Sequence, residues 1–337
     1  MPSITRRRAA GIVIVIVSAC GFGSGALFAK PVYGAGLDWL TLLAWRFFFG
    51  AVASWLWLLA IPENRRALRS MSRRRLVVLV LLGVLYVGNS ATYYAALETV
   101  EASLAALIVY VYPALVAVLA LRWGRRLRGR RPWVALALAM GGVVLALGTI
   151  GAGHVPPISG LALALASPLI YAVWIILSAR LAGERREPRE TPPPEAIEPI
   201  ERTDPAPAAA VMLTATCLVF LALAGVTGRP ITPGRIPLAA WPGLLGVGLI
   251  STALAMQAFY AGTRRIGAAQ AALVSTVEPI WTIGLATTLF GESLTAPQVL
   301  GGICVIVGVL VAQSAPDAAP RGASEAEAGQ ESAPLVA

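Results

Sequence analysis

Glu278 is the one ionisable residue in ALVSTVEPIWTIGLATTLF (272–290), and Pro279 follows it at once. A carboxylate at the centre of an apolar helix costs about 2.5–3.5 kcal/mol on insertion scales. It must face a cavity, find a partner or stay protonated. Pro279 removes a backbone donor and frees a carbonyl by kinking the chain. Together the pair offers a ligand for a cationic group, a proton-coupling site, or a structural clamp.

Other polar groups sit in similarly apolar surroundings. Arg46 lies inside WRFFFGA; it could pair with Glu278, bind a substrate carboxylate or snorkel outward. Lys30 stands at the end of the first apolar run, where it can snorkel too. In YVGNSATYY, Tyr86, Asn89 and Tyr93 are spaced i, i+3, i+7 and share one helix face. Ser167, Tyr171 and Trp174, spaced i, i+4, i+7, also share a face, and Gln257 and Tyr260 add an amide and a phenol. Amides and hydroxyls beside aromatic rings suit a small amphipathic metabolite. The same groups also serve as interhelical hydrogen bonds or an interfacial belt.

The elements that must position these groups are membrane spans. The chain has 337 residues, of which 57% are hydrophobic and 13% charged. Its mean hydropathy is +0.74. Soluble domains carry roughly 25% charged residues. Ten apolar segments are long enough to cross a bilayer. They are predicted near 9–29, 38–61, 76–97, 102–121, 133–150, 158–181, 208–227, 239–262, 268–290 and 297–314. The expected class is all-α integral membrane.

The net charge of +10 is not a nucleic-acid signature, because the arginines cluster at span ends. Arg6–Arg8, Arg73–Arg75, the run from Arg122 to Arg131, and Arg264–Arg265 fall on one set of loops. The other set holds only Lys30, Arg229 and Arg235. The positive-inside rule then places both termini in the cytoplasm, and a bacterial inner membrane is the expected location. Residues 182–207 are rich in proline and in charges of both signs, as a disordered cytoplasmic linker would be. Residues 315–337 read as a disordered tail.

Several chemistries are excluded. Cys20, Cys217 and Cys304 all lie in apolar runs, so no disulfide framework is expected. His154 is the only histidine, which argues against imidazole catalysis and multi-histidine metal sites. There is no GxxxxGK[ST], HExxH or GxSxG motif. Neither an enzyme nor a cofactor is expected.

The chain also contains an inverted repeat. A shift of 166 residues lays YYAALETVEASLAALIVYVYPALVAVLA (93–120) on FYAGTRRIGAAQAALVSTVEPIWTIGLA (259–286) without a gap. Pro113 meets Pro279, and Tyr112 meets Glu278. Each half then holds five spans, 9–150 and 158–314. Five is odd, so the second half enters the membrane from the opposite side. Turn charges agree: Glu98 and Glu101 in one half face Arg264 and Arg265 in the other. Inverted repeats suit alternating access to a midplane site.

These features resemble EamA-type proteins of the drug/metabolite transporter superfamily. The likeness rests on FGSGALFAK (22–30), WRFFFGA (45–51), ASLAALIVYVYPALVAVLA (102–120) and EPIWTIGLATTLFGESLTAPQVLGGICVIVGVLV (278–311). It implies ten helices, cytoplasmic termini, and export or exchange of small metabolites, often amino acids. It also implies structural or gating roles for Arg46, Lys30, Pro113, Pro279 and Glu292. The chain departs from the family pattern at Phe22, where a tryptophan is usual, in its long linker, and at Gly124-Arg125-Arg126-Leu127, which lacks the acid of the matching Gly291-Glu292 turn.

The expected partners are a small-molecule substrate and the lipid bilayer, with the proton as a candidate coupling ion. Oligomeric state stays open. Competing classes are a membrane-embedded enzyme acting on a lipid-linked substrate and a non-transporting scaffold working through the linker.

Overall fold

The computed structural model describes residues 2–112, 114–116, 119, 131–147, 156–181, 205–266, 271 and 274–313. Pro113, His154, most of the linker (182–204) and the tail lie outside the described residues. Those described form helices and turns and no strand.

Span one is Pro2–Gly23 continued by Gly25–Gly34, with a turn at Ser24. Span two is Trp39–Ala60 and span three Arg73–Ala96, joined through a short basic helix, Pro62–Arg69. Span four opens with Ala102–Val109; span five is Arg131–Leu147 and span six Ile158–Leu181. Span seven is Pro205–Val226. Span eight is a composite of Trp241–Leu245, the π-helical Gly246–Leu254 and Ala255–Ile266. Spans nine and ten are Val277–Phe290 and Ala296–Gln313. Among the described residues, six of the ten are long and apolar enough to cross a membrane, and four are shorter apolar helices.

Three expectations change. The linker ends earlier than residue 207, because Pro205 already starts span seven; proline fits a first helical turn, where its missing N–H costs nothing. Spans four and nine are not continuous. Turns at Tyr110–Val111 and Ser275–Thr276 interrupt them just ahead of their prolines. Glu278 is therefore not mid-helix. It occupies the first turn of a new helix, the end where backbone dipoles favour negative charge.

Caps set several helix starts. Asp38 accepts from the Thr41 N–H at 2.7 Å ahead of span two, and Ser72 from the Arg75 N–H at 3.3 Å ahead of span three. Gly291 ends span nine in the left-handed region (φ 65°), which brings the Glu292 N–H back to the Ala286 carbonyl.

Interhelical contacts pair span one with eight, three with six, two with seven, four with nine, and five with ten, among others. Under an inverted repeat, one-with-eight and three-with-six are the same contact seen from opposite sides. The other three pairs are self-equivalent and lie along the pseudo-twofold. Small residues permit these close crossings. A Cβ on Gly142 of span five would collide with the Gly301 carbonyl of span ten.

The loops also sort as an inverted repeat requires. Asp38 pairs with Arg229 at 2.8 Å, Glu98 accepts from the Trp39 N–H, and Gly160 abuts Thr99. These residues share one end of the bundle with Lys30 and Glu292. Gly11, near the start of span one, abuts Arg265 and Ile266 at the other end. Residues 99 and 265 thus lie at opposite ends. The outer surface is studded with exposed apolar side chains such as Leu56, Leu81, Leu218, Leu289 and Ile303. A surface of that kind is matched to hydrocarbon, not water.

Candidate functional site

The broken helices of spans four and nine meet each other. Tyr110, at the break in span four, places its hydroxyl 2.8 Å from the Ser275 carbonyl and 3.0 Å from Glu278 Oε2. Ser275 belongs to the break in span nine, and its carbonyl also accepts the Glu278 N–H at 3.0 Å. Span one closes the other flank. Thr282 Oγ1 lies 2.9 Å from the Gly23 carbonyl and 3.0 Å from that of Glu278, and Trp281 Nε1 donates to Ser24 Oγ at 3.0 Å. Gly23 is required here: a Cβ would fall 2.7 Å from Thr282 Oγ1 and 2.9 Å from the Glu278 carbonyl. Pro279 is buried beside this junction.

An aromatic cluster adjoins it. Tyr112 packs on Tyr171 with ring centroids 4.7 Å apart. Tyr171 stacks on Trp174 at 5.8 Å, and Tyr86 contacts both. Trp174 Nε1 donates to the Leu82 carbonyl at 2.9 Å. Asn89 is buried and accepts from Ser167 Oγ at 3.0 Å. Tyr93 contacts its neighbour Tyr94, with ring centroids 5.3 Å apart. Tyr93 and Tyr94 lie within electrostatic reach of both Glu278 and Arg46. Of the polar residues singled out above, Tyr86, Tyr112, Tyr171 and Trp174 therefore come together as one cluster, joined to Glu278 through Tyr110.

Arg46 does not pair with Glu278. It is 7% exposed, and its Nε donates to Thr252 Oγ1 at 2.9 Å in the π-helical stretch of span eight. Its guanidinium lies 4.6 Å from the Tyr94 ring centroid and 5.1 Å from that of Phe47, so cation–π contacts take the place of a carboxylate. Thr252 in turn donates to the Val247 carbonyl, the i−5 acceptor that a π-helix provides. Nearby Ser251 Oγ and Gln257 Nε2 are buried without a hydrogen-bond partner among the described residues. Tyr260 contacts Phe259. Lys30 turns its Nζ to the Val100 carbonyl at 3.4 Å, closing the end of span one onto the turn before span four.

Glu292 makes the densest link between the halves. Its carboxylate accepts from the Ala102 N–H at 3.1 Å, the Ser103 N–H at 3.0 Å and the Ser103 hydroxyl at 2.7 Å. It caps span four from the second half of the chain. The Gly291 turn aims it there.

One residue of this site, Tyr110, carries no separate signal in the sequence. Tyr110 lies two residues before the repeat-equivalent of Glu278. A helix break opposite Ser275 was the clue that could have found it.

A junction of two broken helices with one partly buried carboxylate fits the transporter class that the sequence features resemble. The profile of the EamA-like transporter family matches residues 9–148 and again 158–313. The chain belongs to the EamA-like transporter family. It is similar to an uncharacterized transporter of Archaeoglobus fulgidus, 26% identical over 90% of this chain and 96% of that protein. It is also similar to the uncharacterized transporter YyaM of Bacillus subtilis, 24% identical over 88% of this chain and 93% of that protein. A solved crystal structure at 18% identity superposes with a TM-score of 0.62, covering 90% of this chain and 96% of that one, and shows the same fold. The protein is thus a multi-pass membrane transporter.

Proposed function

We propose that the chain is a secondary or facilitative carrier that exports small metabolites, such as amino acids or related compounds, by alternating access. The observation that supports this most is the meeting of the Tyr110–Val111 and Ser275–Thr276 breaks on the pseudo-twofold, with Glu278 between them. Broken helices at a repeat interface free backbone groups for a solute in a site otherwise dry. The Tyr86–Tyr112–Tyr171–Trp174 cluster supplies apolar walls with polar edges beside it. The arginine-rich loops favour the bacterial inner membrane with both termini cytoplasmic.

Counterflow in proteoliposomes tests the proposal. Vesicles preloaded with one member of an amino-acid and metabolite panel should accumulate its labelled form, with and without a proton gradient. Accumulation equal to that of protein-free vesicles for every member of the panel would sink it. Reporter fusions at residue 337 and within 182–207 test the sidedness, both being expected in the cytoplasm.

A further inference from the structure

The Tyr110 hydroxyl faces two acceptors and has one proton. Ser275 O is 2.8 Å away and Glu278 Oε2 is 3.0 Å away. If Glu278 is ionised, the single phenol hydrogen can serve only one of the two acceptors, and the other contact sets two lone pairs against each other. If Glu278 is protonated, the arrangement closes without conflict. The carboxyl O–H donates to the phenol oxygen, and the phenol O–H donates to the Ser275 carbonyl. Each hydrogen then has its own acceptor, and the 2.8 Å and 3.0 Å contacts are hydrogen bonds at once.

We infer that Glu278, Tyr110 and the Ser275 carbonyl form a proton-binding site in which protonation of Glu278 ties spans four and nine together. The bound proton completes a chain running from the first turn of one helix to the break of the other. When it leaves, the phenol turns its hydrogen to the carboxylate. The Ser275 carbonyl then keeps only the Glu278 N–H, and one of the two ties between the breaks is lost. The remaining carboxylate sits where water is scarce and draws in water or a cationic solute, which favours separation of the two spans.

The surroundings contain no described group that would take over as its counter-ion. Span four contributes the titratable phenols Tyr110 and Tyr112. The first half of span one contributes Gly23 and Ser24 at this level, with Cys20 one turn away. Its second half contributes Lys30, which is spent on the Val100 carbonyl. Span three brings Tyr93 and Tyr94 within electrostatic range. Arg46 is held on Thr252 and between two rings, away from the carboxylate. The use of this site in coupling rests on the carrier reading; the site itself does not.

The test uses the purified full chain in nanodiscs and needs no transported solute. Infrared difference spectra across a pH series should show a protonated-carboxyl C=O band that titrates, is absent in Glu278→Gln and shifts in frequency in Tyr110→Phe. Hydrogen exchange over residues 274–282, corrected for intrinsic rates, should quicken by up to about tenfold as that band disappears, the worth of one buried hydrogen bond. Glu278→Gln, whose amide can donate to the phenol as a protonated acid does, should stay protected at every pH. Tyr110→Phe should exchange quickly at every pH. Opposite, pH-independent behaviour of the two variants is what a purely structural contact would not produce. No titrating band assignable to Glu278, or a pH response retained in both variants, overturns the inference. If Glu278→Gln does not fold, the wild-type band and its shift in Tyr110→Phe decide alone. Failed counterflow with a titrating band would remove the carrier reading and leave the proton site. Counterflow without such a band would do the reverse.

Discussion

Spans four and nine occupy equivalent places in the two halves, yet they are built for different work. Both break just before a proline, at Tyr110–Val111 and at Ser275–Thr276. At the position before the proline span four carries Tyr112 and span nine carries Glu278. Tyr112 turns into an aromatic cluster with Tyr171, while Glu278 turns to the opposite break and meets Tyr110. The turns differ in sequence as well. Span four is capped by Glu292 from the other half, and the matching turn in the first half reads Arg125-Arg126, with no acid to return the favour. An inverted repeat keeps its backbone breaks because they sit on the symmetry axis. Its side chains are free to diverge, and divergence is what turns two similar bundles into one site with a carboxylate on one side only.

The largest effect should come from removing the one-sided cap. Glu292→Ala leaves the Ala102 and Ser103 amides and the Ser103 hydroxyl without their acceptor. The loss should be about 1–3 kcal/mol, since hydrogen bonds to a charged group are among the stronger ones. Thermal unfolding in detergent should show a clear drop, and Glu292→Gln should recover part of it. An unchanged midpoint in the alanine variant would mean that the two ends of the bundle are held alike, and the asymmetry would vanish.

Next is the crossing of span one over span nine. Gly23→Ala puts a methyl 2.7 Å from Thr282 Oγ1 and 2.9 Å from a backbone carbonyl. Overpacking of that kind costs about 1–3 kcal/mol. The strain should be felt locally, so cross-linking yield between cysteines placed on spans one and nine should fall while that between spans five and ten stays constant. Equal loss at both would show that the junction is no more tightly packed than the periphery.

Tyr110→Phe should come third, at about 1 kcal/mol for a buried hydrogen bond. It sharpens the comparison directly, because the residue that serves Glu278 is not its repeat partner. A stability loss from Tyr112→Phe greater than that from Tyr110→Phe would reverse the assignment of roles.

How far the sequence reveals this depends on which interactions are local. Pro113 over Pro279 with no gap exposes the repeat, and the exchange of acidic for basic turns exposes its inversion, because topology must satisfy both. Glu278 and Arg46 stand out since a charge in hydrocarbon is costly wherever it points. Their partners do not stand out. Arg46 finds Thr252 through a π-helical stretch that shifts the register of span eight, and no pattern in GVGLISTAL announces it. Tyr110 reaches Glu278 because both helices break, which rotates residues off the faces a continuous 3.6-residue period assigns them. Periodicity locates spans well and fails where a helix is interrupted, and here the interruptions are the site.

The smallest effect concerns the turns. Glu98 and its counterpart Arg264 mark the exchanged charges of the two halves. Glu98 accepts from the Trp39 N–H at 2.7 Å, ahead of span two. Partial desolvation pushes its carboxyl above the usual carboxylate value and neighbouring Asp38 adds to this, against the opposing influence of the Trp39 N–H and Arg229. A raised value in the folded protein means that the charged form is the less favoured one there. Its contribution to stability is then greatest below the unfolded-state value and declines as pH rises through the folded one. Glu98→Gln keeps an acceptor for Trp39 and removes the decline. The two proteins should unfold at the same midpoint in acid, with the variant slightly ahead near neutrality, and solvent at this exposed turn should keep the gap small. A wild type that gains on the variant as pH rises would mean that the acid is held in its charged form by Arg229 and the Trp39 amide. The acidic turn would then stabilise its end of the bundle outright and not merely mark its side.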